Sequence, residues 1–170
     1  MPDPIDLESH PALYASESRW NLFGPGHLPY RVLLLAKIID RVTTQHVRKK
    51  ADLSLAEWRV MSHVNLMGKC SASEVAGAAF VDRAEVSRAV GTLEERGLIA
   101  REPNPRNRKS SLLALTEKGH TLYTELRGER GKFFEEWLVD LNEPERAQID
   151  DGLRKIMRRV VAAAPHAIDS

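Results

Sequence analysis

Cys70-Ser71-Ala72-Ser73-Glu74-Val75-Ala76-Gly77-Ala78-Ala79-Phe80-Val81-Asp82-Arg83-Ala84-Glu85-Val86 holds two helix starts in close succession. At the first, Ser71 is placed to cap and Glu74 to reach back to it, with Cys70 and Val75 as the flanking apolar staple. At the second, Asp82 takes the capping role and Val81 faces Val86. A short Ala-rich helix over residues 72–80 is thus followed within a few residues by another, which is the length and spacing of a helix-turn-helix. The second helix carries Val86, Ala89, Val90 and Leu93 on one face. Its other face, Ala84, Ser87, Arg88 and Gly91, is polar, small and thin. Glycine inside a helix costs about 1 kcal/mol relative to alanine, so Gly91 predicts close approach by another helix or a DNA backbone. After Glu95-Arg96, Gly97 suits a left-handed cap, with Leu98 returning to Leu93 in a Schellman motif.

Upstream, Leu53-Ser54-Leu55-Ala56-Glu57-Trp58 repeats the capping pattern, Ser54 with Glu57 and Leu53 with Trp58. Residues 28–50 predict a further helix that buries Val32, Leu35, Ile38, Ile39 and Val42. The Pro-containing residues before it have little periodicity and read as an extension or arm. Downstream, two short apolar segments, 98–103 and 110–115, flank Asn104-Pro105-Arg106-Asn107-Arg108-Lys109. Asn and Pro mark a turn there, and the whole reads as a β-hairpin with a basic tip. Thr116 caps the next helix, which carries Leu122, Leu126, Phe133, Trp137 and Leu141 at helical spacing. The last helix follows Asn142-Glu143-Pro144-Glu145, with a stripe of Ile149, Leu153, Ile156 and Val160 and with Met157 and Val161 beside it.

Composition narrows the class. The chain has 170 residues, 42% hydrophobic and 29% charged, which is ordinary for a soluble globular protein of one domain with an appendage. One cysteine excludes an internal disulfide framework and a Cys-rich zinc site. No apolar run reaches the roughly 18 residues of a spanning helix, so no membrane partner is expected. The acidic start Met1-Pro2-Asp3-Pro4-Ile5-Asp6 lacks the basic-then-apolar pattern of a secretory signal, and the cytoplasm is the expected compartment. His10, His27, His46, His63, His120 and His166 are scattered, without a two-His helical pair, a Gly-rich phosphate loop or a nucleophile elbow. No catalytic site, metal or cofactor is therefore expected. The net charge of +1 is uninformative, but its distribution is not. Arg96, Arg101, Arg106, Arg108 and Lys109 stand against Glu102 alone, a candidate phosphate contact, although such a run also suits a solvated loop.

Val86-Ser87-Arg88, Leu93-Glu94-Glu95-Arg96-Gly97-Leu98-Ile99, the Asn104-to-Lys109 turn and Leu115-Thr116-Glu117-Lys118-Gly119, in this order and spacing, resemble the MarR family of winged helix-turn-helix transcription regulators. The resemblance covers residues 28–163. It implies a mainly α fold with a small β-hairpin wing, divided into an N-terminal arm (1–27), a helical dimerisation domain (28–50 and 117–163) and a winged helix-turn-helix DNA-binding domain (54–116). It also implies a homodimer whose terminal helices interleave. The apolar stripes on the first and last helices exceed what one small winged-helix core needs; the other reading is a compact intramolecular bundle. The family commonly has aspartate where Asn104 and Asn107 stand. Asparagine still supports a turn, but it cannot form a salt bridge that orients a wing arginine.

The implied function is a sequence-specific regulator of double-stranded DNA, a ligand-responsive repressor on a pseudo-palindromic operator. Arg83, Ala84, Ser87 and Arg88 stand in the half of the recognition helix that reaches base edges, where arginine takes guanine in a bidentate pair; Arg83, nearer the flank, also suits phosphate. Ser71 and Ser73 open the preceding helix, where hydroxyls and backbone N–H groups suit a phosphate, though Ser71 is equally a plain cap. By resemblance Arg106 enters the minor groove from the wing tip, and Arg108 and Lys109 track the backbone. Family members often release DNA on binding a small aromatic or anionic molecule. Trp20, His27, Tyr30, Arg31, Trp58, Arg59 and His63 are the effector candidates, rings with a nearby cation that suit an aromatic acid or its thioester; Trp58 and Tyr30 also suit helix core. Two alternatives stand beside this: a thiol sensor through Cys70, whose pKa a helix N-terminus lowers, and a winged helix used for protein contacts without a DNA role.

Overall fold

The computed structural model describes residues 19–24 and 26–164; most of the predicted arm, residues 1–18, lies outside them. Among the described residues, the helices α1 (Leu28–Ala51), α2 (Leu55–Met67), α3 (Ala72–Ala79), α4 (Arg83–Glu95), α5 (Glu117–Glu136) and α6 (Glu143–Ala163) combine with strands β1 (Cys70–Ser71), β2 (Ile99–Pro103) and β3 (Ser111–Leu115). The chain divides into two compact units between His46 and Val47, inside α1.

The local chemistry places the helix starts where the sequence predicts them. Ser54 and Ser71 each form a complete capping box with Glu57 and Glu74, and Asp82 accepts from the backbone of Ala84 and Glu85. Each such cap contributes about 1 kcal/mol. The end of α4 is a full Schellman motif: Gly97 N–H donates to the Glu94 carbonyl and Leu98 N–H to that of Leu93, with Gly97 at φ 67°. The buried face of α4, Val86, Ala89, Val90 and Leu93, packs in one core with Val60, Met61 and Val64 of α2, Val75 of α3 and Leu113 of β3. Fully burying one such side chain is worth about 1.5–3 kcal/mol, so this face fixes how α4 is presented.

The hairpin is joined by a strand that the sequence did not signal. β1 pairs antiparallel with β3, Cys70 opposite Leu113, giving the sheet order β1-β3-β2. Two residues are too short for an alternating pattern to show. Two further expectations need correction. Helix α5 ends at Glu136, so Trp137 caps it and Leu141 lies beyond it. Val32, Ile38, Ile39 and Val42 of α1 are only half-buried, and Leu35 is exposed. The apolar stripe of α6 behaves likewise: no residue of that helix is buried, and Ile149, Leu153, Met157, Val160 and Val161 are exposed.

Candidate nucleic-acid interface

The face of α4 opposite the core is solvent-facing. Arg83, Ala84, Ser87 and Arg88 are all exposed. Arg88 also forms one wall of an open groove of about 340 Å³ with Glu57 and Thr92. Among the described residues nothing lies within 4 Å of where a Cβ on Gly91 would stand, so no other described helix approaches it. Its surroundings are therefore open among the described residues. Gly91→Ala is expected to stabilise the fold by about 0.5–1 kcal/mol, which raises the thermal midpoint by about 1–4 °C. A melt showing a lowered midpoint would contradict the open surroundings of Gly91.

The wing turn is held by its asparagines. Asn104 Oδ1 accepts from Arg106 N–H at 3.0 Å and Asn107 Oδ1 from Lys109 N–H at 3.0 Å, while Asn104 Nδ2 donates to Ser110 Oγ at 2.9 Å. These are Asx turns, and they show that the turn forms without the family's aspartates. Arg106, Arg108 and Lys109 are exposed at this tip. Among the described residues, none of Arg83, Arg88, Arg106, Arg108 and Lys109 is in an ion pair.

Two members of the predicted basic run have other work. Arg101 pairs with Glu94 at 2.9 Å. Arg96 donates to the Asp52 and Ala51 carbonyls at 2.7 and 3.0 Å, fastening the end of α4 to the α1–α2 turn. Ser71 is also committed: its hydroxyl donates to Glu74 at 2.7 Å, and Glu74 also accepts from Ser71 N–H at 2.7 Å. The Ser71 N–H, its hydroxyl and, less strongly, the Arg106 charge hold the Glu74 carboxyl below its ordinary range. This cap is therefore complete above the usual carboxylate pKa and weakens as pH falls through the depressed value. Ser73 remains exposed.

The effector candidates fall into two groups, each within one unit. In the first, Arg31 donates to the Trp20 carbonyl and to Asn21 Oδ1 at 3.2 and 3.0 Å, with its guanidinium 5.7 Å from the Trp20 ring. Phe23 stands edge-on to Tyr30 and 5.6 Å from His27, so Arg31 is brought to Trp20, and His27 and Tyr30 to Phe23. In the second, Trp58 is buried and stacks on Tyr123 at 5.4 Å, and His63 Nδ1 donates to the Arg59 carbonyl at 2.8 Å. Sequence reasoning missed the cation of this second group. Arg130 of α5 is only 8% exposed, and its guanidinium lies 5.0 Å from the Trp58 ring and 4.7 Å from the Phe134 ring. The signal was present: Arg130 stands in the helical register of Leu126 and Phe133, where an apolar residue is the default. Each ring is worth about 0.5–2 kcal/mol to a cation, whereas burying an unpaired charge costs several kcal/mol, and burial lowers the guanidinium pKa accordingly.

Cys70 is buried. Burial, and secondarily the Glu74 charge, push its thiol up, which works against the thiolate that a redox sensor needs. Among the described residues no group of His, Cys, Asp and Glu is placed to hold a metal ion, and no helix is long and apolar enough to cross a membrane.

Comparison with known proteins gives this geometry its context. Residues 51–110 match the model of the MarR family. The HTH-type transcriptional repressor IacR of Pseudomonas putida is 31% identical over 87 residues, which are 50% of this chain and 52% of that protein. The chain spans about half the length of the curated relatives it matches. In fold it is similar to a SlyA-like transcription regulator of Listeria monocytogenes (TM-score 0.75, 22% identity, 86% of this chain and 97% of that one). It is also similar to a mutant of MarR from E. coli complexed with operator DNA (TM-score 0.68, 20% identity, 81% and 96%). The relatives named here are transcription regulators, not enzymes.

Proposed function

We propose, from the premise that residues 51–110 belong to the MarR family, that this chain is a cytoplasmic, sequence-specific transcription regulator. It binds a pseudo-palindromic double-stranded operator as a homodimer and acts as a repressor released by a small aromatic or anionic effector. The observation that carries the DNA reading is the pairing of an exposed, polar α4 face with a wing tip whose cations are unpaired among the described residues. Unpaired cations are free to displace the counterions of phosphate. Arg83, Ala84, Ser87 and Arg88 take the major groove, Arg106 the minor groove, and Ser73, Arg108 and Lys109 the backbone. Ser71 serves its helix as a cap, and its contribution to phosphate is the backbone that it positions.

The dimer is supported by the uncovered stripes of α1 and α6. A helix of 21 residues with an apolar stripe and nothing buried needs a partner surface, and a second copy supplies a matching pair of stripes. Sedimentation of the chain alone is expected to give twice the monomer mass. Effector release is read by adding aromatic acids to the operator complex and following dissociation. The alternative reading through Cys70 predicts peroxide-sensitive DNA binding that disappears in Cys70→Ser. The buried thiol predicts instead that wild type and Cys70→Ser hold DNA equally well in peroxide.

A further inference from the structure

Helices α3 and α4 end in the same backbone motif with different residues in its left-handed position. At the end of α4 that residue is Gly97, at φ 67°. At the end of α3 it is Phe80, at φ 51° and ψ 45°. Phe80 N–H donates to the Gly77 carbonyl at 3.4 Å and Val81 N–H to the Ala76 carbonyl at 3.2 Å, which completes the Schellman pattern. Glycine is the default there, and a bulky residue is strained. Packing within the fold does not offset the strain. Val81 packs against the core, whereas Phe80 is 74% exposed. Among the described residues no ring stacks on it and no cation stands over it. A ring held outward on a strained backbone points to a contact outside the fold.

Its place in the turn names the partner. Phe80 lies three residues before Arg83, the first residue of α4, so their Cα atoms are at most about 11 Å apart. On the DNA reading, this end of α4 enters a major groove about 12 Å wide. We propose that Phe80 reads thymine: its ring lies against the C5-methyl group of one thymine in each half-site, at the edge of the groove that α4 enters. That methyl is the one apolar group a base pair offers in the major groove, and phenylalanine is among the side chains suited to it. The proposal rests on the DNA reading above. It adds an apolar contact to a surface otherwise made of arginines, hydroxyls and Ala84.

The test uses the duplex selected from random DNA and copies in which each thymine in turn is replaced by uracil. Uracil lacks the methyl and keeps every hydrogen-bonding group. Binding of the full chain is measured for wild type, Phe80→Gly and Phe80→Leu. For wild type, uracil at one position of a half-site is expected to weaken binding by about fourfold, the equivalent of one buried methylene-sized group. Phe80→Gly is expected to bind the parent duplex more weakly by at least that factor and to be indifferent to uracil at that position. Phe80→Leu keeps part of the discrimination. Glycine also relieves the left-handed strain, so the thermal midpoint of Phe80→Gly rises by about 2–4 °C, which separates a lost contact from a lost fold. Weaker binding together with a lowered midpoint overturns the assignment, because the ring then serves the fold. So does a wild type insensitive to uracil at every position, or a penalty that persists in Phe80→Gly and so belongs to another side chain such as Ala84. In each of these cases a selected duplex is still bound, and the DNA reading stands. If no sequence is selected, both fall.

Discussion

Gly119→Ala is expected to lower the thermal midpoint by about 6–12 °C, the equivalent of about 3 kcal/mol in a chain of this size. A Cβ at this position would stand 2.0 Å from the Leu98 carbonyl oxygen and 2.9 Å from its carbon. Both are backbone atoms, so no side-chain rotation relieves the clash. The contact lies where three elements meet. The Leu98 carbonyl, just past the end of α4, accepts from Thr116 N–H at 3.1 Å. Thr116 Oγ1 donates to the Gly97 carbonyl at 2.7 Å and accepts from Gly119 N–H at 3.0 Å. Forcing α5 away from Leu98 therefore loosens the end of α4, the root of the wing and the cap of α5 together. A midpoint within a degree or two of wild type would show that this junction carries little of the fold.

Arg88→Ala is expected to weaken binding to the preferred operator by about 1–3 kcal/mol, or roughly 5- to 150-fold, and to relax base preference at one position of each half-site. Arg88 is exposed on the thin face of α4 and unpaired among the described residues, so its removal costs the fold little and the effect belongs to the complex. Lys109→Ala serves as the contrast. It is expected to weaken all duplexes alike and to reduce the salt dependence of binding. Quantitative binding of a selected site and a scrambled duplex at several salt concentrations separates the two. An Arg88→Ala protein that keeps both its affinity and its preferred sequence would remove Arg88 from the recognition surface.

The parts of this fold that were legible in the sequence are those that local chemistry decides. Ser54, Ser71, Asp82 and Thr116 each announce a helix start, because the cap and its partners lie within a few residues, whereas the last helix begins at Glu143, inside the segment expected to precede it, with Asn142 as its cap. Gly97 announces a stop for the same reason. What escaped depends on groups distant in the chain. The pairing of Cys70 with Leu113 leaves no trace in a two-residue strand. The run from Arg96 to Lys109 counts five cations, but only structure shows that Arg96 is spent on the α1–α2 turn and Arg101 on Glu94. The periodicity of α1 and α6 gives the direction of their apolar faces and is silent on what covers them, which is why residues expected to be buried are half-open here. Arg130 lies in the apolar stripe of α5, where periodicity points to apolar residues and gives no sign that a cation is buried.

On the proposed function, a pair of these chains reads a symmetric duplex through α4 and the wing. Selection of binding sites from random double-stranded DNA tests this most directly. The expected result is a pseudo-palindrome whose half-sites are centred about one helical turn apart, bound by two chains per duplex. Enrichment of no sequence, even at low salt, would contradict it and leave a winged helix that serves contacts other than DNA.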